Sequence, residues 1–402
     1  MSFFNTPLLC LACAFAAACG DSGTVPQGGD SAGGSPPGNG GNGGSGAGII
    51  AGGNGGNGGN GGDGGVGGDG GVGGELALGG LGGEGGEGGS PNIKGEGSPP
   101  DPPIDAPAGD GSAPRVFAVN HLFTGITTFQ GIQSADAWKG FGYDIDQLVT
   151  SSDFSAHCSP EGGAAPNNIF PDGVDGIDNS FGKTILPILK TAASSNGELE
   201  EMVNDPIANG DFTLVFDLSS LGPGADYAPS PSSYLEGRDE ALGTWLRAPE
   251  SFAGNVPNLA FPDAYVTGNV WVSQRVAGTL PVKLNLAGAS LLLTIHQPLI
   301  SAELTADHSA VTHGIISGVL HSQEFLASVE STIGVLAPSL CEGAAIDGIL
   351  NQMLQASDIM SDGNQNPSAP CDGISIGLGF TATAVSLGAL AEPDPPFVDP
   401  CE

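Results

Sequence analysis

The sequence predicts an α+β domain with a mainly antiparallel β-sheet or sandwich and several packed helices, preceded by a disordered, glycine-rich tether. Segments with apolar residues at every second position recur between residues 265 and 320, separated by short clusters of turn residues. Segments with the three-and-four spacing of helices stand together and do not alternate with the strands. More than half of the 70 glycines lie in the first quarter of the 402 residues. Strands and helices in separate blocks favour the α+β class.

Residues 1–19 are predicted to be a lipoprotein signal peptide. The apolar stretch from Pro7 to Ala18 is too short to span a bilayer as a helix, and it ends in Ala16-Ala-Ala-Cys-Gly20, which resembles a lipobox. Cys19 would then be the lipidated first residue of the mature protein. Ordinary secretion is the alternative, because the first six residues contain no Lys or Arg and Ala16 stands where a leucine is usual.

Residues 20–114 are predicted to be a disordered linker. Gly-Gly-X triplets run from Gly52 to Gly89, and a proline-rich exit follows at Ser98-Pro-Pro-Asp-Pro-Pro103. Such a segment has almost no apolar side chains to bury, so it should not fold. From Arg115 the composition is that of ordinary globular protein, and residues 115–402 are predicted to form a single β-rich domain with its own core.

Strands are predicted from the two-residue apolar period. Residues 138–149 are ambiguous between a strand and a short helix, and residues 222–262, rich in Pro, Gly and Ser, are predicted to form a long ordered loop anchored by Trp245. Pro298 suggests a sheet edge or a bulge. The predicted strands are Val116–Phe123, Phe212–Leu218, Tyr265–Val276, Val282–Leu286, Leu291–Ile295, Leu299–Thr305, Ala310–Leu320 and Ile374–Leu387.

Four helices are predicted. The first runs from Lys183 to Ala193, is capped by Asn179 or Ser180, and tolerates Pro187 only if that residue lies in the first turn. A short helix over Gly197–Asn204 follows. Two amphipathic helices come later, and their apolar stripes are Phe325, Leu326, Val329, Ile333 and Leu336, and then Ile346, Ile349, Leu350, Met353 and Leu354.

The cysteines predict two disulfides. Four of the seven remain once the two cysteines within the signal and Cys19 are set aside, and four cysteines allow three pairings. We favour Cys341 with Cys371, which closes a short loop, and Cys158 with Cys401, which ties the C-terminal tail to the domain. Zinc is the competing explanation, but no two of the four have Cys-x-x-Cys spacing.

The charge balance is strongly acidic, with 44 Asp and Glu against 9 Lys and Arg and a formal net charge of −35. No Lys or Arg follows Lys283. Such a surface repels nucleic acid and anionic lipid, which require basic patches, so we expect no nucleic-acid partner. It favours divalent cations and cationic partners, although a solvated exterior also accounts for it.

A loop of aspartates directly before the first predicted helix is the candidate metal site. Asp172, Asp175, Asp178 and Asn179 offer oxygen ligands in a tight, glycine-punctuated loop, which is what Ca²⁺ takes. The loop departs from the EF-hand pattern because its acids are three apart and no glutamate occupies the twelfth position. In the alternative interpretation, these residues make Asx-turns and a helix cap without an ion, and fix how the helix enters the core.

A second polar loop, from Asp358 to Asp372, is a weaker calcium candidate. Asp362, Asn364 and Asn366 have the two-residue spacing, but Pro367 occupies the place of the required glycine.

Patterns that match catalytic or ligand sites are better explained as structure. Gly373-Ile-Ser-Ile-Gly377 matches a nucleophile elbow, but a loop precedes it and a β-like run follows, and the last histidine comes earlier, at His321. His308, His313 and His321 match no common metal-ligand spacing and are expected at turns or on the surface. Trp138, Trp245 and Trp271 are expected to anchor the core or loops.

The lipobox, the glycine-rich tether, Asp175-Gly-Ile-Asp-Asn-Ser-Phe-Gly182 before a helix, and Cys371-Asp-Gly-Ile-Ser-Ile-Gly377 occur together in this chain. In this combination the chain resembles a group of uncharacterised bacterial surface lipoproteins, over most of residues 115–402. The resemblance implies a location and an architecture, and it brings no activity with it.

These observations favour a non-enzymatic binding or adhesion module, lipid-anchored at the outer membrane, surface-exposed, calcium-stabilised, and directed at an extracellular protein or glycan. One alternative is an extracellular hydrolase that uses paired carboxylates from the acidic loops. Another is a purely structural envelope lipoprotein.

Overall fold

The computed structural model describes residues 97–149, 155–162, 164, 172–192, 199–286, 289–336, 340–394 and 401. The predicted signal peptide, Cys19 and the tether as far as residue 96 lie outside the described residues. None of the helices in the described part of the chain has the length and apolar content needed to cross a membrane.

Fourteen strands are present among the described residues, and most of them match the strands that the sequence predicts. Their bounds are β1 Arg115–Phe123, β2 Phe212–Leu218, β3 Ser232–Ala241, β4 Thr244–Arg247, β5 Phe252–Ala253, β6 Val256–Pro257, β7 Leu259–Phe261, β8 Tyr265–Thr267, β9 Val270–Val272, β10 Thr279–Leu286, β11 Ala289–Leu304, β12 Ala310–His321, β13 Gly373–Ala384 and β14 Ser386–Leu390.

Twelve of these strands form one large sheet in the order β14-β4-β3-β2-β1-β13-β12-β11-β9-β8, with β10 beside β11 and β7 beside β3. Only β14 and β4 pair in parallel, so the sheet is mixed but mainly antiparallel. Strands β5 and β6 form a separate two-stranded sheet. The prediction of a mostly β domain with packed helices is therefore confirmed.

Pro298 marks a bulge, as predicted. The register between β11 and β12 shifts between His296 and Leu299, and Gln297 has a positive φ of 50°. The two halves of β11 consequently have different partners, with β10 beside the first half and β9 beside the second.

The prediction of a long loop over residues 222–262 is wrong. This region holds the five strands β3 to β7, and Trp245 is buried on β4 as expected. Strand β3 escaped detection because Glu236 and Arg238 occupy buried positions where an apolar residue is normally expected. Arg238 forms ion pairs of 2.9 Å with Glu250 and 2.7 Å with Asp394, and Lys283 lies 2.9 Å from Glu236.

Four α-helices cover the sheet: α1 (Leu186–Ala192), α2 (Leu199–Asn209), α3 (Ser322–Leu336) and α4 (Ala344–Leu354). A π-helical turn over Phe181–Ile185 leads into α1. This wider turn precedes Pro187, which lacks an N–H and would crowd the carbonyl of residue 183 in a regular helix. The ambiguous stretch 138–149 begins with a short 3₁₀ turn over Ala137–Gly140 and has no further helix or strand.

The main core lies between the sheet and these helices. Phe181, Ile185 and Leu189 from the first helical segment, and Phe325 and Val329 from α3, are buried in the same cluster as side chains from the sheet strands. A second cluster joins Phe123, Phe141 and Tyr143 to strands β8, β9, β11 and β12. The loop that contains Phe141 and Tyr143 is therefore fixed by packing.

The packed domain begins before Arg115, so the linker boundary predicted at residue 114 differs from the structure. Tyr265 donates a hydrogen bond of 2.6 Å to the carbonyl of Pro100, and the Gly109 N–H donates to the carbonyl of Pro229 at 2.8 Å. Residues 97–114 therefore lie against the domain.

The four predicted cysteines form two disulfides, but the favoured pairing is wrong. Cys158 bonds to Cys371 and Cys341 bonds to Cys401. Backbone hydrogen bonds decide the first pair, because the Ser159 N–H donates to Ala369 at 2.8 Å and the Cys371 N–H donates to Ser159 at 2.9 Å. This bridge aligns Cys158 beside Cys371 and leaves Cys341 for the C-terminal tail.

Candidate functional site

Asn179 connects three parts of the chain at the start of the first helical segment. Its amide Nδ2 donates to the carbonyls of Trp138, Phe141 and Gly377 at 3.0–3.1 Å. Its Oδ1 accepts the N–H groups of Gly182 at 2.9 Å and of Gly377 at 3.0 Å. The bond to Gly182 is a helix N-cap, one of the two that the sequence allows.

The hydrogen bonds of Asn179 favour the helix cap over the predicted role of this residue as a calcium ligand. The Oδ1 atom has two lone pairs, and both already accept a hydrogen bond. Asn179 is 2% exposed and lies among backbone groups. This environment suits a helix cap that needs no ion.

Three carboxylates come together close to Asn179. Each of Asp144, Asp146 and Asp178 offers one oxygen, and these oxygens lie within 4.8 Å of one another. The backbone places them, because the Asp178 N–H donates to the carbonyl of Tyr143 and Asp178 Oδ2 accepts the N–H of Ile145 at 2.6 Å. Asp144 Oδ1 is buried and has no hydrogen-bond partner in the structure.

The electrostatics of this aspartate cluster favour neutralisation. Burial, together with the charge of Asp146, raises the pKa of Asp144 to about 6. Burial also raises the pKa of Asp178 well above its ordinary value, with contributions from Asp146, Asp358 and Asp172. The buried carboxyls therefore resist ionisation unless a cation compensates them.

One cation of the chain already lies beside the cluster. Arg275 donates a hydrogen bond of 2.9 Å to the carbonyl of Ile145. Its pKa is lowered by burial, against the opposing charges of Asp178 and Asp144. A single guanidinium does not balance three carboxylates, so the cluster keeps a net negative charge when it is fully ionised.

The second polar loop, from Asp358 to Asp372, contacts the same aspartate cluster. Gln365 donates to Asp146 Oδ2 at 2.7 Å, and its Oε1 accepts the N–H of Cys158 at 2.9 Å. Asp358 accepts hydrogen bonds from the N–H of Ser375 at 2.8 Å and from its hydroxyl at 2.6 Å. Burial raises the pKa of Asp358 to about 7.

Asp358 and Asp178 line a very small cavity. The cavity has a volume of about 10 Å³, and Trp138, Asp172 and Lys183 also line it. Such a space holds about one water molecule and no sugar ring or peptide.

No protein-family profile, curated protein or solved structure matches the chain.

The structure separates Asp175 from the other residues of the predicted calcium loop. Asp172, Asp178 and Asn179 line the small cavity beside Asp358, and Asp178 also joins Asp144 and Asp146. Asp175 is exposed, with a positive φ of 55°, in a short 3₁₀ turn over Val174–Gly176. Three of the four predicted residues therefore lie close together, and of these Asp178 is the one that also belongs to the cluster with Asp144 and Asp146.

Asp144 and Asp146 were missed by the sequence analysis. Their spacing of two residues in Asp144-Ile-Asp146 is a ligand signal, but no polar loop surrounds it, and the stretch was ambiguous between strand and helix. The nearness of this pair to Asp178 depends on tertiary packing, which no local pattern encodes.

The other catalytic and ligand patterns are structural here. Ser375 is fully buried within β13, where its hydroxyl holds Asp358, so it is not a nucleophile at a strand-to-helix turn. His313 hydrogen-bonds Glu303 at 2.8 Å, and His308 is buried with a positive φ of 52°. Trp138, Trp245 and Trp271 are all buried.

Proposed function

We propose that the chain is a non-enzymatic binding module of the cell surface, stabilised by Ca²⁺ held between Asp144, Asp146 and Asp178. The observation that supports this proposal is the approach of three carboxylate oxygens to within 4.8 Å, one of the residues being buried. Hard oxygen ligands suit Ca²⁺ and are poor ligands for softer metals. Water molecules would complete the six to eight oxygens that Ca²⁺ takes.

The ion would compensate the charge that folding concentrates. Ionised Asp144, Asp146 and Asp178 repel one another in a partly dry environment, and Arg275 offsets only part of this repulsion. A divalent cation turns the same carboxylates into ligands. The net charge of −35 also raises the local concentration of divalent cations around the chain.

A thermal melt of the full chain in EDTA and then in Ca²⁺ tests the metal site. Ca²⁺ at about 100 times its Kd should stabilise the folded state by about 2.7 kcal/mol, which is a shift in Tm of several degrees. Asp178→Asn should abolish the shift. Asp175→Asn is the matched control, because it removes one carboxylate from the same loop but outside the cluster, and it should leave the shift intact.

Equal melting temperatures in EDTA and Ca²⁺ would contradict the proposal that the folded chain binds Ca²⁺. Loss of the shift in both variants would instead point to the ligand set that the sequence predicts, namely Asp172, Asp175, Asp178 and Asn179. Mg²⁺ at the same concentration serves as a second control, because its strict octahedral geometry makes it the poorer ion for three carboxylates on two loops.

The location is part of the same proposal. Cys19 would carry the lipid that anchors the chain in the outer membrane, with the domain presented to an extracellular protein or glycan. Labelling of the expressed chain with a radioactive fatty acid, lost in Cys19→Ser, tests the anchor. The acidity of the chain supports a partner other than nucleic acid.

A hydrolase that uses Asp358 is the second candidate. A pKa of about 7 suits a general acid, and Asp178 lies on the same cavity. Against it stands the size of that cavity, which admits about one water. Release of reducing sugar from a polysaccharide by the full chain, lost in Asp358→Asn, would favour the hydrolase over the binding module.

A further inference from the structure

Two histidines and a glutamate meet where β12 leads into α3. His321 is the last residue of β12, and Glu324 follows three residues later in the first turn of α3. His296 lies on the neighbouring strand β11. Its Nε2 atom is 2.9 Å from Glu324 Oε2, and the centroids of the two imidazole rings are 6.4 Å apart. Side chains from two separate segments of the chain therefore share one small region of the surface.

The sheet geometry places both histidines on the same face. His296 pairs with Val319 across β11 and β12, and His321 is two residues beyond Val319, so the two imidazoles are diagonal neighbours. The bulge in β11 begins at the next residue, Gln297, which has a positive φ of 50°. Bulges commonly turn a side chain towards a site. The irregularity in β11 thus helps to set the position of His296.

All three side chains are accessible to an ion from solvent. Those of His296 and Glu324 are 31% and 49% exposed, and His321 is half-buried. Burial raises the pKa of Glu324, but hydrogen bonds from His296 and Thr294, with the charges of His296 and His321, outweigh burial and lower this pKa. The Glu324 carboxylate is therefore ionised and interacts electrostatically with both imidazoles.

We propose that His296, His321 and Glu324 bind Zn²⁺. Two imidazole nitrogens and one carboxylate oxygen form a ligand set that Zn²⁺ takes, and water occupies the fourth tetrahedral position. This site is independent of the proposed calcium site, because imidazole nitrogen suits Zn²⁺ whereas Ca²⁺ takes oxygen ligands.

Only a small side-chain movement is needed to form the site. In a tetrahedral zinc site the ring centres of two histidines lie about 5 Å apart, because each Zn–N bond is about 2.0–2.1 Å long. The ring of His321 closes the difference from 6.4 Å by turning about its side-chain bonds. The ion then replaces the solvent-exposed contact between His296 and Glu324, a kind of contact that contributes little to stability.

Isothermal titration calorimetry of the full chain with Zn²⁺ tests the site. Excess Ca²⁺ is present throughout, so that sites made of carboxylates alone are occupied. Zn²⁺ should bind saturably at one site with a Kd of about 10 µM or below. Mg²⁺ titrated in the same way should give no such binding, because it prefers oxygen ligands.

Variants locate the zinc. His296→Gln, His321→Gln and Glu324→Gln should each weaken Zn²⁺ binding by about tenfold or more, because each removes one of the three ligands. A melt of each variant in EDTA shows whether it is folded, and addition of Zn²⁺ should raise the Tm of the unmodified chain more than that of any of the three variants.

His313→Gln is the matched control. His313 hydrogen-bonds Glu303 at 2.8 Å across the same two strands, and its ring contacts the ring of Phe129. The substitution removes one histidine from a similar His–Glu pair and leaves all three proposed ligands in place. Zinc binding should therefore remain unchanged in this variant.

Three results would overturn the inference: no saturable Zn²⁺ binding up to about 1 mM, unchanged binding in all three ligand variants, or an equal loss of binding in His313→Gln. Zinc binding that disappears in Asp178→Asn would also overturn it, because the ion would then occupy the aspartate cluster. Failure of the zinc site is distinguishable from failure of the calcium site, because the calcium melt depends on none of the three zinc ligands.

Discussion

At the scale of single residues, Asn179 connects three parts of the chain through its hydrogen bonds. Its amide makes five hydrogen bonds, to the backbone of Trp138, Phe141, Gly182 and Gly377. The geometry requires a group that donates and accepts at once, which Asn provides and Asp does not. The hydrogen bonds at position 179 therefore require an amide side chain.

Replacing Asn179 tests that explanation. Asn179→Ala should lower the free energy of unfolding by about 3 kcal/mol or more, because buried N–H and C=O groups lose their partners. Asn179→Asp should be comparably destabilising, whereas a metal ligand would tolerate or favour the added carboxylate. Urea denaturation measures both variants.

Asn366→Ala is the control for this experiment. Asn366 is exposed, and its Oδ1 accepts the N–H of Ser368 in a local turn, so its loss should cost no more than about 1 kcal/mol. A stable Asn179→Asp variant with an enhanced calcium response would reinstate Asn179 as a ligand.

Residue patterns in the sequence predicted part of this site. The Asp and Asn residues before the helix were recognised as cap or ion ligands, and the cap is present. Asp144 and Asp146 were not found, because a pair of acids in an irregular stretch carries no period that a sequence reveals. The Asn179 cap could be recognised in the sequence because a helical pattern follows it, whereas Asp144 and Asp146 have no such pattern beside them.

At the scale of elements, strand β13 and the loop that contains Phe141 form a contact that only glycine permits. A Cβ on Gly377 would lie 2.1 Å from the carbonyl oxygen of Phe141, and a Cβ on Gly379 would lie 2.2 Å from the Phe141 ring. The loop that carries Asp144 and Asp146 therefore reaches its position because β13 offers it a surface without side chains.

Two glycine-to-alanine substitutions separate this contact from ordinary glycine effects. Gly377→Ala should lower the free energy of unfolding by several kcal/mol, since the clash is with backbone, and should weaken the calcium response by displacing the cluster. Gly348→Ala is the matched variant in the exposed interior of α4, where a Cβ meets nothing within 4 Å. It should raise stability by roughly 0.5–1 kcal/mol.

Urea denaturation and the calcium melt measure both substitutions. A Gly377→Ala variant as stable as the unmodified chain would show that the loop and β13 are not in contact in solution.

Elements were predicted well wherever their buried faces are apolar. Strands β1, β2, β10 and β12, and helices α3 and α4, lie where the apolar patterns predict them. Strand β3 was missed because ion pairs replace apolar contacts at Glu236 and Arg238. An ion pair can fill a buried position, but its residues are indistinguishable from surface residues in a sequence.

At the scale of the whole molecule, disulfide pairing and the convergence of two acidic loops depend on the complete topology. Cys158 and Cys371 are 213 residues apart and meet only because residues 158–159 pair with residues 369–371. The same pairing brings Gln365 to Asp146. Neither contact follows from local spacing, which is why loop length favoured the wrong cysteine partners.

The pH dependence of stability is a property of this convergence. A carboxyl whose pKa is raised in the folded state binds protons more tightly there than in the unfolded chain. Its contribution to stability is fully present below about pH 4 and is lost as the pH rises through the folded values, about 6 for Asp144 and about 7 for Asp358. Without calcium, these groups therefore destabilise the domain progressively between about pH 5 and 8.

The effect of His308 on stability has the opposite dependence on pH. Burial lowers its pKa, so it contributes stability above about pH 6.5 that is lost as the pH falls through its folded value. Asp144→Asn isolates the carboxyl effect from that of His308. In EDTA this variant should be more stable than the unmodified chain at pH 8, by about 1–2 kcal/mol after solvent screening, and nearly equal to it at pH 5.

Calcium should reverse this comparison. Because Ca²⁺ binds the ionised carboxylates and competes with protons, its stabilisation of the unmodified chain should be larger at pH 8 than at pH 5. Asp144→Asn lacks one ligand, so its Tm should respond weakly to Ca²⁺ at either pH. Melts of both proteins at the two pH values, in EDTA and in Ca²⁺, measure these stability differences. A calcium-induced shift in Tm that is equal at pH 5 and pH 8 would show that the ion does not bind at the aspartate cluster.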